Sequence, residues 1–117
     1  MRPDVLFASV PVADLARSAA WYELVLGRPP EIEVNENELM WRIVDAGWLY
    51  LVVDPDRAGD TVVSLAVRDL DAAVAELGRR GVQIARREII AGAGRKAWLV
   101  DPDGNEIAVI EVLATTG

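Results

Sequence analysis

Phe7-Ala8-Ser9-Val10-Pro11-Val12-Ala13-Asp14-Leu15 and Val62-Val63-Ser64-Leu65-Ala66-Val67-Arg68-Asp69-Leu70 are two versions of one pattern, at a constant offset of 55 residues. Ser, Val, Asp and Leu are identical in the two versions. In each one an apolar segment typical of a strand ends at an Asp, and a helical pattern follows. The chain is therefore expected to contain a structural repeat.

The two Asp residues of the repeat are predicted helix N-caps, because a carboxylate can accept the free N–H groups of the first helical turn. After each Asp the apolar residues recur with helical spacing, and Gly27 and Gly81 are natural left-handed stops. The sequence therefore predicts two matched helices. Their apolar stripes are Leu15, Ala19, Tyr22 and Leu26 in the first helix, and Leu70, Ala73, Val74 and Leu77 in the second.

Each predicted helix is followed by three segments with strand character, separated by turn-forming residues. These segments are 31–34, 39–44 and 48–53 in the first half, and 82–90, 96–100 and 106–112 in the second. The predicted order is βαβββ, twice, in a single domain spanning residues 1–117. Module one is expected at about 4–54, a linker at about 54–60 and module two at about 61–113, with 114–117 as a short tail.

Composition excludes much chemistry. The 117 residues include no His and no Cys, and 12 basic against 19 acidic side chains give a net charge of −7. Imidazole and thiolate mechanisms, disulfides and thiolate zinc sites are thereby excluded. The acidic balance argues against nucleic acid and anionic membranes as partners. Without Cys or a segment of export-signal type at the N-terminus, the cytoplasm is the expected compartment.

Three motifs resemble the vicinal oxygen chelate superfamily, which includes glyoxalase I, extradiol dioxygenases, fosfomycin-resistance enzymes and bleomycin-resistance binding proteins. They are Val12-Ala13-Asp14-Leu15, Trp21-Tyr22-Glu23-Leu24-Val25-Leu26-Gly27 and Asp101-Pro102-Asp103-Gly104-Asn105-Glu106-Ile107. The resemblance implies an α+β fold of paired βαβββ modules. Its eight strands would curl into cup-like half-barrels with the two helices outside. It also implies a homodimer.

Metal-binding members of this superfamily hold the ion with four inward-pointing side chains, typically two His or Gln and two Glu. By the resemblance, these positions are occupied here by Phe7, Tyr50, Val62 and Ala108. A carbon side chain has no lone pair to donate, and a neutral Tyr is a poor ligand for hard divalent ions. We therefore expect no metal and no cofactor, and neither glyoxalase I nor dioxygenase chemistry.

The same positions predict which side chains line a cavity, because successive strand residues alternate between faces. Parity with the four positions adds Ser9, Trp48, Val52, Ser64 and Ile110. By resemblance to the fosfomycin-resistance branch, Lys96 and Trp98 also face the ligand, and their first-module counterpart is Trp41 or Arg42. Such a lining, aromatic and apolar with a few polar groups, suits a flat hydrophobic small molecule.

Three functions are compatible with this pattern. The first is a metal-independent binding protein for a hydrophobic or aromatic small molecule, as in antibiotic sequestration. The second is a metal-independent lyase or isomerase, for which Tyr50, Lys96, Arg42, Glu88 and Glu106 are candidate acid, base or stabilising groups. The third is a scaffold whose cup is filled by its own aromatic side chains.

Overall fold

The structure is a computed structural model, and it describes residues 1–113. The predicted tail at 114–117 lies outside the described residues. The elements follow the predicted order βαβββ twice. They are β1 (Leu6–Val12), α1 (Leu15–Leu26), β2 (Ile32–Asn35), β3 (Glu38–Val44), β4 (Gly47–Val53), β5 (Val62–Ala66), α2 (Leu70–Arg79), β6 (Arg86–Ile90), β7 (Gly94–Val100) and β8 (Glu106–Val112).

The strands form two separate four-stranded sheets with the same topology, β1-β4-β3-β2 and β5-β8-β7-β6. The pairs β1·β4 and β5·β8 are parallel, and the remaining pairs are antiparallel. The predicted α+β fold with two βαβββ units is confirmed, and the sheets are not closed into a barrel.

The sixth strand is shorter than the predicted segment 82–90. Residues 82–85 lie outside β6, since Val82 is buried and its N–H donates to the carbonyl of Leu77 as α2 ends.

Both helices begin and end as the sequence predicts. The Asp14 carboxylate accepts from the N–H of Arg17, and the Asp69 carboxylate accepts from the N–H of Ala72, each at 3.0 Å. Gly27, after α1, has φ +77°, and Gly81, after α2, has φ +84°. Both values lie in the left-handed region that a side chain disfavours, so these glycines end the helices at low cost.

One continuous core joins the helices to a single face of each sheet. Alternate strand residues, such as Val10 and Val12 in β1 and Leu49 and Leu51 in β4, are fully buried on that face. The predicted helix stripes all belong to this core or pack against it. Burial on one face leaves the opposite face of each sheet outside the core, because strand side chains alternate.

A buried amide connects the two βαβββ units. Asn105, which has no exposed surface, accepts through Oδ1 from the N–H groups of Gly59 and Thr61, at 2.9 and 3.0 Å. Its Nδ2 donates to the carbonyl of Pro11 and to the carboxylate of Asp101, both at 2.9 Å. Asn105 therefore links the end of β1, the segment between the units and the β7–β8 turn.

The same turn holds α1. The carboxylate of Asp101 accepts from the hydroxyl of Tyr22 at 2.8 Å, and that of Asp103 accepts from the N–H of Ala13 and from Arg17. Burial, with the Asp101 carboxylate beside the phenol, raises the pKa of Tyr22 well above its ordinary value of about 10. The folded protein therefore favours the neutral phenol strongly.

Within residues 1–113, neither helix has the combination of length and hydropathy that a membrane span requires.

Replacing Asn105 is expected to destabilise the fold severely. Asn105→Ala leaves the N–H groups of Gly59 and Thr61 without acceptors in a buried site, at a cost of about 3 kcal/mol or more in the free energy of unfolding. Asn105→Asp restores the acceptor but sets a second carboxylate against Asp101, and we expect a similar loss. Urea denaturation measures both, with the exposed Asn37→Ala as a control expected to change stability by less than about 0.5 kcal/mol. A stable Asn105→Asp variant would contradict this account.

Tyr22 is expected to make the protein sensitive to alkali. Above pH 10 the unfolded phenol ionises while the folded phenol stays neutral, so the free energy of unfolding falls by up to about 1.4 kcal/mol per pH unit from this group. Tyr22→Phe loses about 1–2 kcal/mol at neutral pH, because the hydrogen bond to Asp101 is gone, but lacks that slope. In urea denaturation, the difference in the free energy of unfolding between the parent protein and Tyr22→Phe should therefore decrease from pH 8 to pH 11. Parallel pH profiles would show that the phenol is not the group responsible.

Candidate functional site

The sheet faces that point away from the helices form the candidate site, and we call them the cup faces. In β1 the buried Val10 and Val12 face the helices, whereas Phe7 and Ser9 lie on the cup face. Phe7 is 51% exposed, and Val62, its counterpart in β5, is 57% exposed. Large apolar side chains thus stand in solvent on an ordered strand, at the positions where the sequence predicts a cavity lining.

The first cup face contains an open cavity of about 310 Å³ lined by Phe7, Glu38, Met40 and Tyr50. Strand pairing brings these side chains together, since Tyr50 is in register with Ser9 on one side and with Met40 on the other. The rings of Phe7 and Tyr50 meet edge to face, with centroids 6.2 Å apart and an interplanar angle of 71°. Two predicted residues therefore share one cavity with two that the sequence analysis missed.

Trp41 is not a cup residue, and its inclusion in the predicted lining is wrong. Its side chain is fully buried on the helix side, where Nε1 donates to the carbonyl of Arg28 at 3.0 Å and the indole packs against Tyr22. Arg42 has the opposite parity and is in register with Trp48. Its guanidinium donates twice to the carbonyl of Asp45, at 2.9 and 2.7 Å, which ties it to the β3–β4 turn.

The second cup face centres on Trp98. The guanidinium carbon of Arg86 lies 4.3 Å from the Trp98 ring centroid, and the ammonium of Lys96 lies 5.2 Å from it. The indole N–H donates to the carboxylate of Glu88 at 3.1 Å, and Arg86 donates to Glu106 at 2.9 Å. These contacts hold the indole in one orientation by cation–π attraction and a hydrogen bond. Arg86 was not predicted, although its two-residue spacing from Glu88 places both on one strand face.

The remaining predicted positions differ in accessibility. Ser9 and Ser64 are exposed, while Val52 and Ile110 are half-buried. Ala108 is in register with Ser64 and Trp98 but has no exposed surface. The predicted place of Ala108 in the cavity lining is therefore wrong, since its side chain has no accessible surface.

Trp48 and Ser64 lie in a different cavity from Phe7 and Tyr50. This cleft of about 250 Å³ lies between the first sheet and β5, and it is lined by residues of β1, β3, β4 and β5, Leu6 and Leu65 among them. The predicted site residues are thus divided among the first cup, the second cup and the cleft beside β5.

The two cups are built in the same register but carry different chemistry. Ser9 pairs with Tyr50, and Ser64 pairs with Ala108, so Tyr50 and Ala108 are equivalent. The cross-strand partners of these two residues are Met40 and Trp98. By the same register, Glu38 in the first sheet is equivalent to Lys96 in the second, opposite Val52 and Ile110 respectively.

The residues at the four family metal positions do not fit a divalent ion. Phe7, Val62 and Ala108 have no donor atom, and Tyr50 offers only a phenol. In the part of the chain that the structure describes, no three acidic side chains gather closely enough to share a metal ion.

A family model described as a glyoxalase-like domain matches residues 5–110. The glyoxalase/bleomycin resistance protein from Catenulispora acidiphila DSM 44928 is 41% identical over 92% of this chain and 97% of its own, with a TM-score of 0.87. TnmS3, an antibiotic-binding protein from Streptomyces sp. CB03234, is 28% identical over 95% of this chain and 97% of its own, with a TM-score of 0.75.

A bleomycin-binding protein solved in complex with bleomycin shares the fold, at 22% identity over 95% of this chain and 98% of its own, with a TM-score of 0.71. No curated protein matches the chain. The family model covers most of the sequence, and the fold agrees with it. The chain therefore belongs to the glyoxalase-like domain family, within the glyoxalase/bleomycin resistance/dioxygenase superfamily also called vicinal oxygen chelate.

Proposed function

We propose that this protein binds a hydrophobic or aromatic small molecule on its cup faces without using a metal, and that it acts by sequestration. The observation that carries the proposal is Phe7, a large aromatic side chain that remains half exposed beside an open cavity. Exposed apolar surface costs free energy in water, and where it is clustered it marks a binding surface. A bound apolar molecule would remove that cost.

The cup faces combine stacking surface with a few polar groups, which is the usual composition of a small-molecule site. Phe7 and Tyr50 supply rings in the first cup, and Trp98 supplies an oriented indole in the second. Antibiotics are a reasonable ligand class, because TnmS3 is an antibiotic-binding protein with 28% identity to this chain.

The two alternative functions receive less support. A cup filled by its own aromatic residues would need Phe7, Tyr50, Trp41 and Trp98 in mutual contact, but Trp41 lies on the helix side and Phe7 is half exposed. For a lyase or isomerase, the candidate bases Glu88 and Glu106 would need to reach substrate. They are instead hydrogen-bonded to Trp98 and Arg86.

A homodimer is part of the proposal, since each cup face is open to solvent in a single chain and a second copy can cover it. Sedimentation velocity is expected to give a mass of two chains at micromolar concentration. If the protein sediments as a monomer and still binds ligand, binding does not require a dimer, and the dimer is no longer part of the proposal.

Binding is expected to change the fluorescence of the cup-face tryptophans. By strand parity Trp48 and Trp98 are on the cup side, and Trp48 also lines the cleft beside β5. Trp21 and Trp41 pack with the helices. Titration with bleomycin and with doxorubicin, a flat polycyclic probe, should quench the emission and raise the melting temperature. Trp98→Leu or Trp48→Leu should weaken binding about two- to tenfold, the equivalent of about 0.5–1.5 kcal/mol for a lost aromatic contact.

Trp21→Phe is the matched control, because it removes an indole from the helix side and should leave the affinity unchanged. Failure of both probes to quench the emission or to raise the melting temperature would contradict aromatic ligand binding. Quenching lost in Trp21→Phe would place the ligand on the wrong side of the sheet.

A further inference from the structure

The first cup has an unusual charge distribution. Glu38 lines the cavity with Phe7, Met40 and Tyr50, and it forms no salt bridge with any residue of the described range 1–113. Two other acidic groups of the same unit, Glu31 and Asp54, are paired. Glu31 accepts from Arg28 at 2.8 Å, for example, which lowers the pKa of Glu31. The carboxylate of Glu38 is therefore available to a ligand.

No basic side chain offsets this carboxylate inside the cavity. Arg42 is on the same strand face, but its guanidinium is held by the carbonyl of Asp45 at the far end of β3. The four lining residues thus contribute one negative charge, two aromatic rings and a thioether. The net charge of −7 for the chain adds a long-range field of the same sign.

Each of these groups favours a cation. The face of an aromatic ring is electron-rich and attracts ammonium groups, a thioether is polarisable, and a carboxylate pairs with positive charge. The combination also requires an apolar body on the ligand, because Phe7 and Tyr50 present mostly carbon surface. A volume of about 310 Å³ is at the small end for ligand pockets.

We propose that the cavity bounded by Phe7, Glu38, Met40 and Tyr50 binds an organic cation, a protonated or quaternary amine carried on an apolar body. This inference rests on the proposed function and specifies its ligand class. The second cup has Lys96 at the position equivalent to Glu38, so the cation is selected by the first cup alone.

The composition of the chain provides a site-specific probe. Its two methionines are Met1 and Met40, and only Met40 lines the cavity. With the methionine methyl groups labelled with ¹³C, titration of the full chain with benzyltrimethylammonium should shift the Met40 resonance and leave Met1 as an internal reference. Benzyl alcohol and benzenesulfonate, the neutral and anionic comparison probes, should bind more weakly, with the anion weakest.

Glu38→Gln should weaken the binding of benzyltrimethylammonium about five- to tenfold and leave the binding of benzyl alcohol unchanged, since only the charge is removed. Glu36→Gln, in the exposed β2–β3 turn, is the matched control and should behave as the parent protein. Phe7→Leu should also weaken binding of the cation, because it removes one aromatic ring from the cavity. Added salt should reduce the affinity of the parent protein more than that of Glu38→Gln.

The outcomes separate this inference from the proposed function. Equal binding of the cation and benzyl alcohol, or a cation affinity unchanged in Glu38→Gln, would overturn the cation site while aromatic binding stood. Tighter binding of benzenesulfonate than of the cation would overturn it as well. If no probe shifts Met40 and neither bleomycin nor doxorubicin quenches the tryptophans, both proposals fail.

Discussion

The buried side chain of Asn105 is the contact on which the arrangement of this molecule depends. Its amide satisfies two N–H groups of the segment between the units, one carbonyl of β1 and one carboxylate oxygen of the β7–β8 turn. These four bonds tie the β7–β8 turn to two distant parts of the chain, the end of β1 and the segment at 59–61. The sheets share no backbone ladder, so the units are joined by this amide, by the neighbouring Tyr22–Asp101 contact, and by the bonds of Asp103 and Arg80 to α1 and its ends.

Local patterns in the sequence were sufficient to predict the fold. Asp14 and Asp69 cap their helices, the apolar stripes face the core, and the two units have the predicted strand order, because each of these features follows from residues close together in the chain. The bonds made by Asn105 and Tyr22 were not predictable in this way. Tyr22 and Asp101 are 79 positions apart, Asn105 and Pro11 are 94 apart, and nothing in the sequence pattern specifies a partner at such a distance.

The candidate site was predicted in part, and the errors come from the register of β3 and from burial. Phe7, Tyr50 and Trp98, which the family resemblance assigned to the cavity, lie on the cup faces, but parity in β3 required a register that was left open between Trp41 and Arg42. The structure pairs Met40 with Tyr50 and Trp98 with Ala108, ten residues apart in both units. Counting ten residues back from Tyr50, as from Ala108 to Trp98, would have identified Met40. Strand alternation would then have identified Glu38, two residues earlier. Strand parity also could not show that Ala108 is buried.

Because strand side chains alternate between the two faces of a sheet, the residues of the cup faces can vary without changing the core. Val10 and Val12 of β1 and Leu49 and Leu51 of β4 are buried on the helix side, and this packing does not involve the residues of the opposite face. The fold is therefore compatible with Phe7, Val62, Tyr50 and Ala108 at the positions that the resemblance assigns to metal ligands. The same freedom explains why Glu38 and Lys96 differ in sign at equivalent positions. A repeat whose core is conserved in register can thus carry two chemically distinct surfaces, and a ligand can distinguish one cup from the other by charge alone.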